Sequence, residues 1–280
     1  MPAQPLTFDC EGVPLVGMLH VPASVPVTGV VVIVGGPQYR VGSHRQFVHL
    51  CRALEEANVA SLRFDVRGMG DSGGTPRNFE QISADIRAAV DALLRAVPSL
   101  DRVVLWGLCD AATAAVFYAP HDRRIKGLTL LNPWVRDLQS QASTVLETYY
   151  GRRLFEVSAW LKLLREPGRV FAAIRSVLSL SARAARSSRD SAGGDASKPL
   201  SERMSAALTR LDLPLLLILS GDDLTAAEFR RSLDTAPWPR ILGRPTLTRV
   251  DFEEADHTFS RQAWRDAVSA ATRRWLETLT

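Results

Sequence analysis

A chain of 280 residues that is 46% hydrophobic and 23% charged has the composition of a folded globule, which excludes wholesale disorder, a collagen-like fibre and a disulfide scaffold. Its 34 lysines and arginines against 30 aspartates and glutamates leave a net charge of +4, too mild to argue for a nucleic-acid partner. The longest apolar runs, Gly29–Gly36 and Leu213–Leu219, are of strand length, and Met1–Glu11 has no basic start leading into an apolar stretch. No transmembrane segment or secretory signal is therefore expected. Cys10, Cys51 and Cys109 are odd in number and far apart, which points to reduced thiols in a cytoplasmic setting.

Short apolar runs alternate with longer amphipathic stretches along the chain, the pattern of a mostly parallel sheet with helices on both faces. Leu6–Cys10 and Leu15–Val21 read as two opening strands, and Val30–Val34 as a strand buried on both sides. His44–Glu56 reads as a helix, Ser61–Asp65 as a strand, and Ile82–Val97 as a long helix. Val103–Trp106 is a further strand, followed by a small-residue helix over Ala111–Tyr118. Leu128–Leu131, Leu215–Leu219 and Thr246–Val250 complete eight strands, and Arg261–Leu279 is the closing helix.

One interval is too long for a simple crossover: Leu131 and Leu215 lie some eighty residues apart, where one crossover helix needs about a dozen. Helical patterns occur at Leu138–Tyr149, Ser158–Leu164 and Val170–Leu180, before a Ser/Arg/Gly-rich tract at Ser181–Ser197. The expected organisation is a core of residues 1–134 and 206–280, interrupted by a helical cap insertion at 135–205. Gly151–Asp190 within that insertion holds nine basic and three acidic residues. Arg152 and Arg153 are accordingly candidates for binding an anionic substrate, although a solvated basic face accounts equally for the same charges.

The strand ending at Trp106 runs into Gly107-Leu108-Cys109-Asp110-Ala111-Ala112. A small–x–nucleophile–x–small turn between strand and helix is so tight that its flanks tolerate little beyond Gly or Ala, and it presents the central side chain at the strand's carboxyl end. Cys109 occupies that centre; its bland reading is a buried inert thiol. A thiol nucleophile needs a base, and of five histidines His257 alone follows the last strand. The preceding strand ends in Ser220-Gly221-Asp222-Asp223. Asp223 is the preferred acid and Asp222 the alternative, and either is also suited to cap the helix beginning near Thr225. After Val30–Val34 comes Gly35-Gly36-Pro37-Gln38-Tyr39-Arg40. Pro37 has no N–H, so the Gln38 N–H, paired with that of Asp110, is the candidate oxyanion donor. The carboxylate of Asp110 is expected to point outward. Tyr39 and Arg40 are candidate substrate contacts. The loop Asp65–Gly74 lacks the spacing of a phosphate-binding loop, and Asp65 and Arg67 are expected to brace it by an internal ion pair.

These landmarks, D-x-R-G-x-G-x-S-x-G and the elbow above all, resemble those of an α/β-hydrolase along the whole core. More narrowly, GGPQYRVGSHRQF, RFDVRGMGDSGG, WGLCDAA, SGDDLTAAEF and ADHTFS resemble the exosortase A system-associated hydrolases of type 1. That resemblance implies a bacterial hydrolase tied to exopolysaccharide and protein-sorting loci, without supplying a substrate. A cysteine at the elbow is also similar to dienelactone hydrolases and polyhydroxyalkanoate synthases. The mechanism that follows is attack by Cys109 on an ester or thioester of a small-molecule or carrier-linked acyl substrate, with His257 as acid and base and no metal or cofactor. Transfer of the acyl group to a polysaccharide or lipid acceptor, and a decayed non-catalytic binding protein, are the competing expectations.

Overall fold

The computed structural model describes residues 3–36, 38–136 and 198–279. Its strands are β1 (Gln4–Cys10), β2 (Val13–His20), β3 (Thr28–Ile33), β4 (Ala60–Phe64), β5 (Arg102–Leu108), β6 (Ile125–Leu131), β7 (Leu215–Asp222) and β8 (Leu247–Asp256). They form one sheet in the order β1-β2-β4-β3-β5-β6-β7-β8. β2 pairs antiparallel with β1 and with β4, and every later pairing is parallel. The α-helices among the described residues are α1 (Gln46–Glu56), α2 (Ser83–Ala96), α3 (Asp110–Tyr118), α4 (Leu200–Thr209), α5 (Leu224–Leu233), α6 (Trp238–Leu242) and α7 (Gln262–Glu277). The doubly covered, mostly parallel eight-stranded α/β sheet expected from the sequence is the observed architecture.

The unbroken apolar character of β3 follows from cover on both faces. Side chains alternate across a strand. Val31 and Ile33 join the core formed with Ile86, Ala89 and Leu93 of α2 and with the alanines of α3. Val30 and Val32 enter the opposite core, with Phe47, Leu50 and Leu54 of α1 and Val268 and Trp275 of α7. β5 divides likewise: Val103 and Leu105 face one layer, Val104 and Trp106 the other. Trp106 meets Phe47 edge-on, with ring centroids 5.7 Å apart. The strand that leads to Cys109 is therefore anchored from both sides.

The chain divides into two compact units, Met1–Val135 with Met204–Thr280, and Arg136–Arg203; the sheet belongs to the first. The helices read at Leu138–Tyr149, Ser158–Leu164 and Val170–Leu180, the tract Ser181–Ser197, and Arg152 and Arg153 lie outside the described residues. Among the described residues no helix is long and apolar enough to cross a membrane.

Two local expectations are corrected. The first helix starts at Gln46 rather than His44, because His44 and Arg45 take positive φ angles of 53° and 60° that an α-helix cannot continue. Asp65 and Arg67 do not pair with each other. Buried Asp65 accepts from the backbone N–H of Arg40 at 2.5 Å and from its guanidinium, which also reaches Asp71 at 2.6 Å. Arg67 sits where the chain turns at Gly68, and its backbone N–H and Nε both donate to Asp85 of α2, at 2.9 and 2.5 Å. The loop is braced, but toward two different neighbours.

Candidate active site

β5 ends at Leu108 and α3 begins at Asp110, so Cys109 alone makes the turn, with φ 62° and ψ −125°. Backbone in this region costs on the order of 1–3 kcal/mol for a residue with a side chain, and it persists only where its surroundings hold it. Here the Cys109 N–H donates to the Leu131 carbonyl at 2.9 Å, and the Cys109 carbonyl accepts from Ala112 and Trp134 at 3.1 and 3.3 Å. Gly107 is required for a steric reason: a Cβ there would lie 2.6 Å from the backbone of Ala111 and Ala112 as α3 turns back over the strand. The thiol is partly exposed, whereas Cys10 and Cys51 are buried.

Asp223 is the residue before α5, and His257 follows β8 directly. One Asp223 oxygen accepts from the Thr225 N–H and the other from the Ala226 N–H, both at 3.0 Å. The second oxygen also lies 2.8 Å from His257 Nδ1. Asp223 thus caps the helix and faces the imidazole at once, while Asp222, the alternative acid, ends β7 exposed. Of the two carboxylates, Asp223 is the one the structure brings to His257. The hydrogen bond that His257 donates to Asp223, then the neighbouring Cys109, raises the His257 pKa from 6.5 to about 10 against the opposing effect of burial. Although burial works against it, the Asp223 carboxyl is held below its ordinary value by the ring and by the two backbone donors. With Nδ1 engaged by Asp223, Nε2 is the nitrogen left for Cys109.

The oxyanion side differs in one respect from expectation. Asp110 turns inward: its Oδ2 accepts from the Gly36 N–H at 3.0 Å. Gly35 makes the space, since a Cβ there would collide with Asp110 Oδ1. Burial raises the Asp110 pKa, opposed by the Gly36 N–H and by His257. The Asp110 N–H, in the first turn of α3, has no intrahelical acceptor, and with the Ala111 N–H it also favours the charged form of the Asp110 carboxyl. Gln38 follows the same glycine turn, and its Oε1 is buried without a hydrogen-bond partner among the described residues. Tyr39 beside it is half exposed. Arg40, read as a substrate contact, has its guanidinium engaged by Asp65 and Asp71.

A cavity of about 220 Å³ opens beside the elbow, lined by Val34, Gly35, Gly36, Met69, Arg77 and Asp110 among others. A larger cleft of about 510 Å³ runs between β1 and α2, past Asp9, Arg87, Asp91 and Tyr118, and none of the site residues line it. Among the described residues no group of three or more His, Cys, Asp or Glu is placed to hold a metal ion. Sequence reasoning did not single out Asn132, a buried amide just past β6 whose side chain reaches the ends of β7 and β8. Its only signal in the sequence is a polar residue closing an otherwise apolar strand.

Three comparisons place this chain among known proteins. A family described as Serine aminopeptidase, S33 matches residues 26–231, a span that includes Cys109 and Asp223. A curated thiohydrolase from Eupenicillium brefeldianum is 32% identical over 81 residues, 28% of this chain and 26% of that protein, so the matched stretch spans about a quarter of the relative's length. Among solved structures, an esterase from Pyrococcus furiosus is similar with a TM-score of 0.65 at 17% identity, covering 99% of this chain and 92% of the other. A dienelactone hydrolase from Anabaena variabilis is similar with a TM-score of 0.61 at 14% identity, covering 99% and 97%. At those identities the likeness is one of fold. The family match extends over most of the chain, and the chain belongs to the Serine aminopeptidase, S33 family within the α/β-hydrolases.

Proposed function

We propose that the protein hydrolyses an ester or thioester through a covalent Cys109 intermediate, with His257 as proton shuttle and Asp223 as its orienting acid. The observation that carries this reading is the pairing of a partly exposed thiol on a strained turn with an imidazole held by a capping carboxylate. In the first half-reaction Cys109 Sγ, as thiolate, attacks the acyl carbonyl and forms a C–S bond. The N–H groups of Gln38 and Asp110 receive the oxyanion, a type of interaction worth roughly 3–4 kcal/mol per donor. The bond to the leaving group then breaks, and the imidazolium Nε2–H protonates that group. In the second, His257 takes a proton from water as its oxygen attacks the thioester. The C–S bond breaks, releasing the acid and restoring the thiolate–imidazolium pair.

The cavity lined by Gly36, Met69 and Arg77 is the candidate acyl site, and Tyr39, half exposed on the loop after Gly36, is a candidate substrate contact. The thiohydrolase and esterase names of the relatives support an acyl substrate. Residues 135–205 are proposed as a helical cap insertion in a core of residues 1–134 and 206–280, with Arg152 and Arg153 favouring an anionic or carrier-linked substrate. The quoted motif runs support a place beside an exosortase and exopolysaccharide system in the cytoplasm. The test is turnover of a panel of aryl esters and acyl thioesters by the full chain and by Cys109→Ala, with and without an alcohol acceptor. Hydrolysis abolished in the variant is expected. Equal turnover by the variant overturns the assignment, and a transferred product in place of the free acid replaces hydrolysis by acyl transfer.

A further inference from the structure

We infer that Asn132 is a positioning residue for this reaction, its carboxamide tying the loops that carry Asp223 and His257 to the strand beside the nucleophile. The inference rests on the proposed Cys109–His257–Asp223 site and adds a residue that touches none of the reacting atoms.

Asn132 immediately follows β6, is fully buried, and takes φ 42°, a left-handed conformation that Asn tolerates better than most residues. Its Nδ2 donates to Ser220 Oγ at 2.6 Å and to the His257 backbone carbonyl at 3.2 Å. Its Oδ1 accepts from the Ser220 N–H at 2.9 Å, and its own N–H donates to the Ile218 carbonyl at 3.0 Å. The chemistry fixes the orientation of the amide, because the Ser220 N–H can only donate and the His257 carbonyl can only accept.

This placement falls where the sheet itself stops helping. The β7–β8 ladder is regular to Ser220 and shifts register before Asp222, just ahead of Asp223. Asn132 supplies Ser220 with bonds at that break and extends to the His257 backbone across it. On its other side, Leu131 accepts the Cys109 N–H and the Trp134 N–H bonds the Cys109 carbonyl. Residues Leu131–Trp134 are thus in contact with the nucleophile's backbone and with the loops of both its partners. Replacing the amide by an aliphatic side chain leaves the Ser220 N–H and the His257 carbonyl without this partner in a buried setting. A carboxylate retains the acceptor but cannot donate to the His257 carbonyl.

The test compares wild type with Asn132→Asp, each labelled with ring-¹³C histidine, after thermal melts establish that the variant folds. The His257 signal, assigned by its loss in His257→Gln, is titrated; the groups facing the ring are Asp223, Cys109 and Asp110. The expected result is a His257 pKa displaced from about 10 toward 6.5 by at least about one unit, since losing Asp223 as the ring drifts outweighs the opposing charge of the introduced carboxylate, an opposition absent from Asn132→Gly. The same drift lowers kcat/KM about 10- to 100-fold, mainly through kcat. A folded variant with an unchanged titration and kcat/KM within about twofold overturns the inference. Should Asn132→Asp not fold, Asn132→Gly, which accepts the backbone angle and lacks the amide, is read by the same two criteria. Failure of both to fold assigns Asn132 to stability alone and also overturns the inference. If wild type turns over no acyl substrate, the proposed function fails, while the titration still decides the role of Asn132.

Discussion

Asp223→Asn removes the charge that faces His257 while keeping the size of the side chain. His257 stands at about 10 against an ordinary 6.5. At 1.36 kcal/mol per unit, that displacement amounts to about 5 kcal/mol in favour of the imidazolium. Cys109 supplies part of it, and the imidazole is 32% exposed, so solvent screening reduces the carboxylate's share to about 2 kcal/mol, or roughly 30-fold in an equilibrium. A second effect adds to this. The Asp223 oxygens serve Thr225, Ala226 and the ring together, whereas Asn has one acceptor oxygen, so either the helix cap or the imidazole is left facing an NH₂ group. Losing part of the cap costs about 1 kcal/mol of stability. An NH₂ facing Nδ1 selects the wrong tautomer, for which losses of up to about 10⁴-fold in kcat are known in serine enzymes. The expected outcome is a fall in kcat/KM of at least about 30-fold, with the His257 titration displaced toward 6.5. The stability profile changes too. Because the His257 pKa is raised on folding, its contribution is complete below pH 6.5 and lost as pH rises toward 10. Because the Asp223 pKa is lowered from 3.8, its contribution is present above that value and lost as pH falls through the folded pKa. Urea unfolding of wild type should therefore weaken at both limits, and Asp223→Asn should flatten both slopes. A variant with wild-type kcat/KM and an unmoved His257 titration refutes the reasoning.

Two other consequences are open to direct measurement. Burial and Asp85 push the Cys10 thiol up to about 12, and burial pushes Cys51 up to about 11, so brief iodoacetamide treatment of the native protein at neutral pH should mark Cys109 alone; peptide mapping that finds Cys10 or Cys51 modified first contradicts this. Gly107→Ala should destabilise the protein by at least about 1–3 kcal/mol in urea, because the new methyl group meets α3 backbone rather than a movable side chain; an unchanged midpoint would show that the elbow is looser than its geometry implies.

The features legible in the sequence were those encoded locally. The run Val30–Val34 announces a strand covered on both faces, and Gly107 with the alanines of α3 announces a turn too tight for larger side chains. Chain order, with the Gly-x-Asp spacing just past β7, brought Asp223 and His257 forward as partners, and they lie 2.8 Å apart. The features not legible were those set by long-range pairing. Arg67 finds Asp85 eighteen residues on, and Asp65 finds Arg40 twenty-five residues back, so proximity in sequence favoured the wrong partners. The inward turn of Asp110 depends on the space left by Gly35, seventy-five residues earlier, and nothing in the local pattern of α3 signals it. Asn132 is silent for a similar reason: its partners are 88 and 125 residues away, brought to it only when β6, β7 and β8 align.

The central claim is that the sulfur of Cys109 carries the acyl group. Rapid acid quench of the full chain during turnover of an acyl thioester, followed by peptide mass spectrometry, reads this directly. The peptide containing Cys109 should gain the mass of the acyl group during turnover, lose it on treatment with neutral hydroxylamine, and show no gain in Cys109→Ala. An acyl group found on another side chain, or sustained turnover by the alanine variant, contradicts the account.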